Sequence, residues 1–400
     1  MTGRTLVITN DFPPRPGGIQ SFISGALGHL PPERLVVYSS TWQGAAQYDA
    51  ALPYPVIRED TRTMLPTRAV LRRARSLMAE YACDRVLFGA AAPLGLLARG
   101  LRDRAAWQVA MTYGHEAGWA TVPGGVPLLR RIGRDLDVVT YLSEDMGRRL
   151  RRAFGVRIAA RMFHLPAGVD AYQFHPRHGA DGERRRAQLG WDGPVIVCIS
   201  RLVPRKGQDV LIRALPLVHR AIPGARLLIV GGGPDRSRLE RQVVRAGLTG
   251  RVHLTGGVPA ATLPQWYAAG DVFAMPCRTR LGGLDVEGLG IVYLEAAATG
   301  LAVVAGASGG SVEAVLPGET GLIVDGRNEA AVAGALITLL GDAPLRERMG
   351  RAGRSWVERC WSWPAVGRRL GALLRAEDPD SGQPLTGVAG REGPAPTPMS

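Results

Sequence analysis

Short apolar runs separated by longer helical stretches recur along this chain in two successive series, and that alternation leaves few folds open. In the first half, runs expected as strands fall at 5–9, 35–38, 85–88, 107–111, 137–141 and 161–165, with helical patterns near 18–29, 67–81, 91–103 and 143–153. Strand–helix alternation of this kind builds a parallel sheet covered on both faces. Around 170–192 the pattern lapses, and the charged stretch Asp181–Arg186 reads as linker or a short surface helix. It restarts at Val195–Ile199, with further strands at 226–230, 251–254, 271–275, 302–305 and 321–324. Helices fit at 207–220, 235–246, 262–269, 291–299, 328–340 and 344–373. The expected class is α/β, two Rossmann-like doubly wound parallel-sheet domains in tandem. At 400 residues the chain is also too long for one ordinary core. The expected division is a first domain over 1–170, a linker over 171–192 and a second domain over 193–355. A helix over 356–376 is expected to pack back on the first domain. The Pro- and Gly-rich tail, 377–400, has no hydrophobic period and reads as disordered. Ligands of such sheets collect outside the carboxyl ends of the strands, here in a cleft expected between the halves.

Of 49 basic residues 48 are arginine, and the one lysine is Lys206. An ammonium is a compact, mobile point charge where a guanidinium is a planar fork, so a site that needs the former explains the survival of one lysine. The net charge of +14 points to an anionic partner. Nucleic acid is the weakest candidate, because aromatic residues make up 6% of the chain and no nucleic-acid-binding motif is present. Cys83, Cys198, Cys277 and Cys360 are isolated and read as reduced, mostly buried thiols of a cytoplasmic protein. The first residues run straight into an apolar strand, so no signal peptide is expected, and no apolar run is long enough to span a membrane.

Four segments carry candidate chemistry. Asn10–Gln20 follows the first strand and presents Gly17 and Gly18 at a helix start, where exposed backbone N–H groups favour an anion. Ser200–Asp209 follows the first strand of the second half, and Arg201 and Lys206 flank a Pro-bent loop able to neutralise a diphosphate. Gly282–Ala296 is a Gly-rich approach to a helix with Glu287 and Glu295 eight residues apart. Read as helix throughout, that spacing sets them about 80° apart, one at the helix mouth and one deep within it. Two such carboxylates suit sugar hydroxyls, which donate hydrogen bonds. Thr112–Glu116 ends a strand with His115, a position from which a ring reaches the cleft. Three patterns are set aside. Gly306-Ala307-Ser308-Gly309-Gly310 has no histidine after it and cannot complete a hydrolase triad. Asp135-Leu136-Asp137 precedes a strand where a metal–sugar motif follows one. Gly231–Gly233 lacks the third glycine of a dinucleotide fingerprint.

Taken together, Asn10–Pro14, Gly17-Gly18, Gly114–Glu116, Ser200–Asp209 and Gly282–Ala296 resemble family 4 glycosyltransferases of GT-B fold. Within that family they are most similar to the actinobacterial GDP-mannose-dependent phosphatidylinositol mannosyltransferases, over roughly residues 4–375. The resemblance implies a retaining transferase that moves mannose from GDP-mannose to a phosphatidylinositol monomannoside, with no metal or other cofactor. It implies that Arg201 and Lys206 hold the donor diphosphate and that Gly17 and Gly18 approach it from the first, acceptor-side domain. Glu287 would bind sugar hydroxyls, with the backbone amides of Gly288, Leu289, Gly290 and Ile291 nearby. Glu295 would hold the ribose, and the Val258 backbone would contact the guanine. His115 would sit by the transferred mannose and Asp11 on the acceptor side. Another nucleotide sugar or acceptor, or a sugar-nucleotide epimerase of similar fold, stands as the alternative. A lipid acceptor implies peripheral contact with the anionic inner leaflet. Basic amphipathic faces are expected at Arg68, Arg72, Arg73 and Arg75 with Val70, Leu71 and Leu77, at Leu128–Ile132 and at Arg148–Arg152.

Overall fold

Seven parallel strands build the sheet of the first unit in the computed structural model, which describes residues 3–113, 116, 119, 124–283 and 285–385. They are β1 (Arg4–Thr9), β2 (Leu35–Ser40), β3 (Val56–Glu59), β4 (Cys83–Phe88), β5 (Trp107–Ala110), β6 (Val138–Tyr141) and β7 (Met162–His164). Their order is β3-β2-β1-β4-β5-β6-β7. β1 therefore neighbours both β2 and β4, and the direction of winding reverses between β1 and β4. All six residues of β2 are buried, which is why Leu-Val-Val-Tyr reads as a continuous apolar run with no polar face. β3 is a half-buried edge strand of sequence Val-Ile-Arg-Glu and is absent from the sequence reading, since four mixed residues carry no strand period. Helices Ala45–Ala50, Gly125–Arg134 and Val156–Ala159 were likewise not expected. The helix expected over 91–103 is a 3-10 turn, Leu94–Leu97, running into the short helix Ala98–Leu101.

The second unit repeats the plan with six strands, β8 (Val195–Ile199), β9 (Arg226–Val230), β10 (Val252–Gly256), β11 (Val272–Met275), β12 (Ala302–Gly306) and β13 (Gly321–Val324). Their order is β10-β9-β8-β11-β12-β13, again all parallel, with the reversal between β8 and β11. Helices Gln208–Ala221 and Glu329–Gly341 pack against each other beside this sheet. The single helix expected over 344–373 is two, Ala343–Cys360 and Trp363–Leu374.

The chain divides as 1–142, 146–166 and 366–400 in the first unit and 143–145 and 167–365 in the second. Residues 171–192 are therefore part of the second unit and not a linker. Helix Gly179–Gln188 lies so close to the end of helix Leu263–Ala268 that a Cβ on Gly182 would sit 2.2 Å from the Ala268 carbonyl oxygen. Arg186 seals the contact by donating to the Ala269 carbonyl at 2.8 Å and pairing with Asp271 at 3.0 Å. The return to the first unit begins at Val366, ten residues later than 356. The Trp107 indole N–H donates to the Leu373 carbonyl at 2.8 Å, and Arg85 donates to that of Leu374 at 2.7 Å.

Residues 377–385 are not disordered. The Asp378 carboxylate accepts the backbone N–H groups of Asp380 and Ser381, Glu377 bridges Pro384, and Arg369 pairs with Asp380. The rest of the tail, 386–400, lies outside the described residues. The basic amphipathic faces also need correction. Val70, Leu77, Leu129, Ile132 and Leu150 are buried in the core of the first unit, so the arginines beside them form basic surface without an apolar strip of their own. No helix among the described residues is long and apolar enough to cross a membrane. Cys83, Cys198 and Cys277 are buried and Cys360 is exposed. Asp137 of the discounted Asp-Leu-Asp motif is buried on Arg102, which reaches its two oxygens at 2.6 and 2.8 Å.

Candidate active site

The two loops that leave the second sheet at its reversal are joined to each other. The loop after β8 runs out through buried Leu202 into the 3-10 turn Pro204–Lys206, then into helix Gln208–Ala221. Gly207 makes that connection at φ +81°, where a Cβ would lie 2.1 Å from the Pro276 carbonyl oxygen. Only glycine allows the basic turn to lie so close to the loop after β11. The Arg278 N–H then donates to the Arg205 carbonyl at 2.8 Å, closing the junction. Gln208, buried, braces the turn from inside by donating to Ser200 Oγ at 2.8 Å and to the Arg201 carbonyl at 3.2 Å. The Arg201 side chain is left exposed at the mouth of the loop.

Lys206 points its ammonium at Glu287, with Nζ 2.7 Å from Oε2. Both side chains are about nine-tenths buried, at 10% and 7% exposure. Arg205 stands behind the pair, with Nε 3.7 Å from the same oxygen and Nη1 3.6 Å from Asp285. Arg205 thus joins the candidate site, and the sequence carries no signal for it, because one arginine among 48 is not rare.

Glu287 is not at the mouth of a helix. The helix starts at Ile291 behind Gly290 at φ +77°, so the helical angle expected between Glu287 and Glu295 does not apply. Glu287 belongs to the preceding loop, where its N–H donates to Ser308 Oγ at 3.3 Å and its carbonyl accepts from Gly310 at 2.9 Å. The serine of the discounted Gly-x-Ser-x-Gly pattern thus supports a carboxylate. Leu289 and Gly290 are buried, whereas Gly288 and Ile291 are exposed, so this approach offers backbone to a ligand. The first N–H groups of a helix have no intrahelical acceptor and favour an anion.

Glu295 lies one turn into that helix and accepts from the buried Tyr267 hydroxyl at 2.6 Å. Burial pushes its pKa above the ordinary carboxylate value, against the opposing pull of the Tyr267 hydrogen bond. Tyr267 is a second residue that sequence reasoning missed, since a contact across 28 positions leaves no local mark. Val258 follows Gly256-Gly257 at the end of β10 and is half-buried against the core of the second unit.

In the first unit Asp11 and Gly17-Gly18 lie on the loop that leaves β1, the strand beside the reversal of that sheet. Gln20, buried in the helix that Gly18 opens, donates to Asp11 Oδ1 at 2.8 Å, and Arg15 lies 3.9 Å from the same oxygen. Gly17 and Gly18 are exposed. His115 lies outside the described residues.

The described parts of the expected segments therefore follow strands of one of two Rossmann-like sheets, and known proteins share this plan. Residues 181–356 match the family model of glycosyl transferases group 1. The GDP-mannose-dependent alpha-(1-6)-phosphatidylinositol monomannoside mannosyltransferase of Mycolicibacterium smegmatis is 50% identical over 92% of this chain and 97% of its own. The chain belongs to that mannosyltransferase family. The family member from Corynebacterium glutamicum, named for a monoacylated acceptor, is 47% identical over 94% of this chain and 98% of its own. Among solved structures, Anabaena HepE in complex with UDP superposes with a TM-score of 0.75 at 20% identity, covering 93% of this chain and 99% of that one. WaaG, a glycosyltransferase involved in lipopolysaccharide biosynthesis, has a TM-score of 0.60 at 16% identity over 92% and 99%. At such identities the likeness concerns the fold alone, which is GT-B.

Proposed function

We propose that the chain transfers mannose from GDP-mannose to a phosphatidylinositol monomannoside, forming an alpha-(1-6) linkage with retention of anomeric configuration. Family membership over nearly the full length supports the activity. One geometric observation carries the donor assignment: the lone lysine and a loop carboxylate meet at 2.7 Å where the second sheet reverses. In this reading Lys206 and Arg201 take the diphosphate, whose charge grows as the glycosidic bond breaks. Fixed cations aimed at developing charge supply much of the rate in such a site. Glu287, released from Lys206 by the diphosphate, accepts hydrogen bonds from mannose hydroxyls. Gly288, Leu289, Gly290 and Ile291 lend backbone N–H groups. Glu295 accepts from the ribose and Val258 offers backbone to the guanine. Gly17 and Gly18 are assigned to the donor phosphates, Asp11 to the acceptor and His115 to the transferred sugar.

Protein cations do the work of a metal here, and turnover is expected to survive chelation by EDTA. The acceptor is amphiphilic, and the exposed arginines of helices Arg68–Glu80 and Gly125–Arg134 suit electrostatic contact with an anionic leaflet. The test is incubation with labelled GDP-mannose and phosphatidylinositol monomannoside, with and without EDTA, followed by product identification. A labelled dimannoside is expected. Epimerised nucleotide sugar without acceptor, or no lipid product, would refute the assignment.

A further inference from the structure

Beside the Pro204–Lys206 turn, the second unit holds a cavity of about 380 Å³ lined by Asp209, Arg213, Arg278, Arg280, Leu281 and Arg327. Four of these six residues are arginine, and the single lining carboxylate is already engaged. Asp209 accepts two bonds from Arg278, at 3.0 and 2.9 Å, and one from Arg213 at 3.3 Å. Burial acts to raise the Asp209 pKa, yet the hydrogen bonds and charge of Arg278 outweigh it and hold the group ionised below the usual range. Arg213 is further answered by Glu329, and Arg280 by Asp285 at 3.5 Å. Arg327 donates to the Thr279 carbonyl, and among the described residues no carboxylate lies within ion-pair distance of it.

The backbone here is unusual as well. Leu281 is 68% exposed at φ +51°, followed by Gly282 at +62° and Gly283 at +99°. A leucine rarely occupies that region, and such strain persists only where the surroundings impose it. The imposing contacts are reciprocal backbone hydrogen bonds between Arg280 and Asp285, at 2.9 and 3.2 Å, which hold Arg280 on the cavity. Arg278 is held as firmly, with its side chain 15% exposed and both ends of its fork on Asp209. Guanidinium groups fixed in this way match the oxygens of a phosphate, and Arg327, which no carboxylate among the described residues answers, leaves positive charge over at the cavity.

We propose that this cavity is a second anion site that binds a phosphate group, free or in an ester, separately from the donor diphosphate. Asp285 stands between the two sites, 3.6 Å from Arg205 and 3.5 Å from Arg280.

The experiment uses the full chain saturated with GDP, so that the donor site is filled. Inorganic phosphate and glycerophosphoinositol are titrated separately by calorimetry into wild type, Arg280→Gln/Arg327→Gln and Arg280→Lys/Arg327→Lys. In the Gln variant affinity for at least one probe is expected to fall about tenfold or more, on the scale of one lost charge-assisted hydrogen bond. The Lys variant is expected to lie between it and wild type, and GDP affinity to stay within about twofold of wild type in all three proteins. Tighter binding of glycerophosphoinositol than of phosphate would identify a headgroup pocket, and equal affinity a site for the free anion; both support the proposal. Absence of binding by either probe, affinities indifferent to the arginines, or a parallel loss of GDP affinity would overturn it. Lys206→Ala is expected to lose GDP but keep phosphate, which separates failure of this site from failure of the donor assignment.

Discussion

Lys206 and Glu287 neutralise each other in a nearly buried contact. Removing one partner leaves the other charge nearly buried without its closest counter-ion, which costs up to about 3–5 kcal/mol, and less for loss of Lys206 because Arg205 Nε stays 3.7 Å from the same Glu287 oxygen. Lys206→Ala should therefore lower the stability of the protein as well as its turnover. The double change Lys206→Met/Glu287→Gln should recover much of the stability and none of the activity, as paired denaturant titrations and turnover assays will read. Loss of turnover by about 10² to 10³ is the scale of removing one fixed donor from developing charge. Glu295 makes a different prediction. Its pKa is higher in the fold than in the unfolded chain, so the folded state holds the proton more tightly. The associated stability is present below pH 4.5, the ordinary value, and is lost as pH rises through the raised value. Glu295→Gln should thus raise Tm at neutral pH and flatten its dependence on pH, while weakening nucleotide binding. A neutral Tm that falls in this variant would contradict the assignment. At this scale Lys206 was legible because it is unique in the sequence. Arg205 was hidden by the abundance of its own kind, and Tyr267 by distance along the chain.

Elements buried on both faces were the most legible. β2 and β8 are entirely buried and read as apolar runs, whereas β3, half-buried at an edge, has no such run. The charged helix Gly179–Gln188 reads in sequence as either linker or short surface helix, because only Gly182 among its residues is buried and no apolar period marks it. Its place in the fold comes from a close backbone approach and from Arg186, neither of which is periodic. The same kind of approach joins the loops after β8 and β11 at Gly207. A side chain there meets both an unfavourable φ and the Pro276 carbonyl. Gly207→Ala should cost about 1–3 kcal/mol or more and impair GDP binding by displacing Lys206. Unchanged denaturation midpoint and GDP affinity would show that the junction tolerates a Cβ.

Over the whole molecule, the tandem repeat of a doubly wound sheet was readable from strand–helix alternation, and so was the return of a C-terminal helix to the first unit, but not the residue at which the chain crosses. The crossing at Val366 falls inside a helix, where hydrophobic periodicity continues without a break. The first unit depends on the C-terminal helix Trp363–Leu374, since Trp107 and Arg85 at its sheet donate to the carbonyls of Leu373 and Leu374. Ending the chain after Ala365 should leave the first unit poorly folded, with early amide exchange at β4 and β5. Exchange equal to that of the full chain would show that this segment is dispensable. A crystal structure with GDP-mannose would show whether the basic turn of the second unit holds the donor diphosphate beside the carboxylate proposed to grip its sugar. A diphosphate oxygen is expected at about 3 Å from Lys206 Nζ, with Glu287 turned onto mannose hydroxyls. A diphosphate seated away from Lys206, with the Lys206–Glu287 pair intact, would contradict the donor assignment.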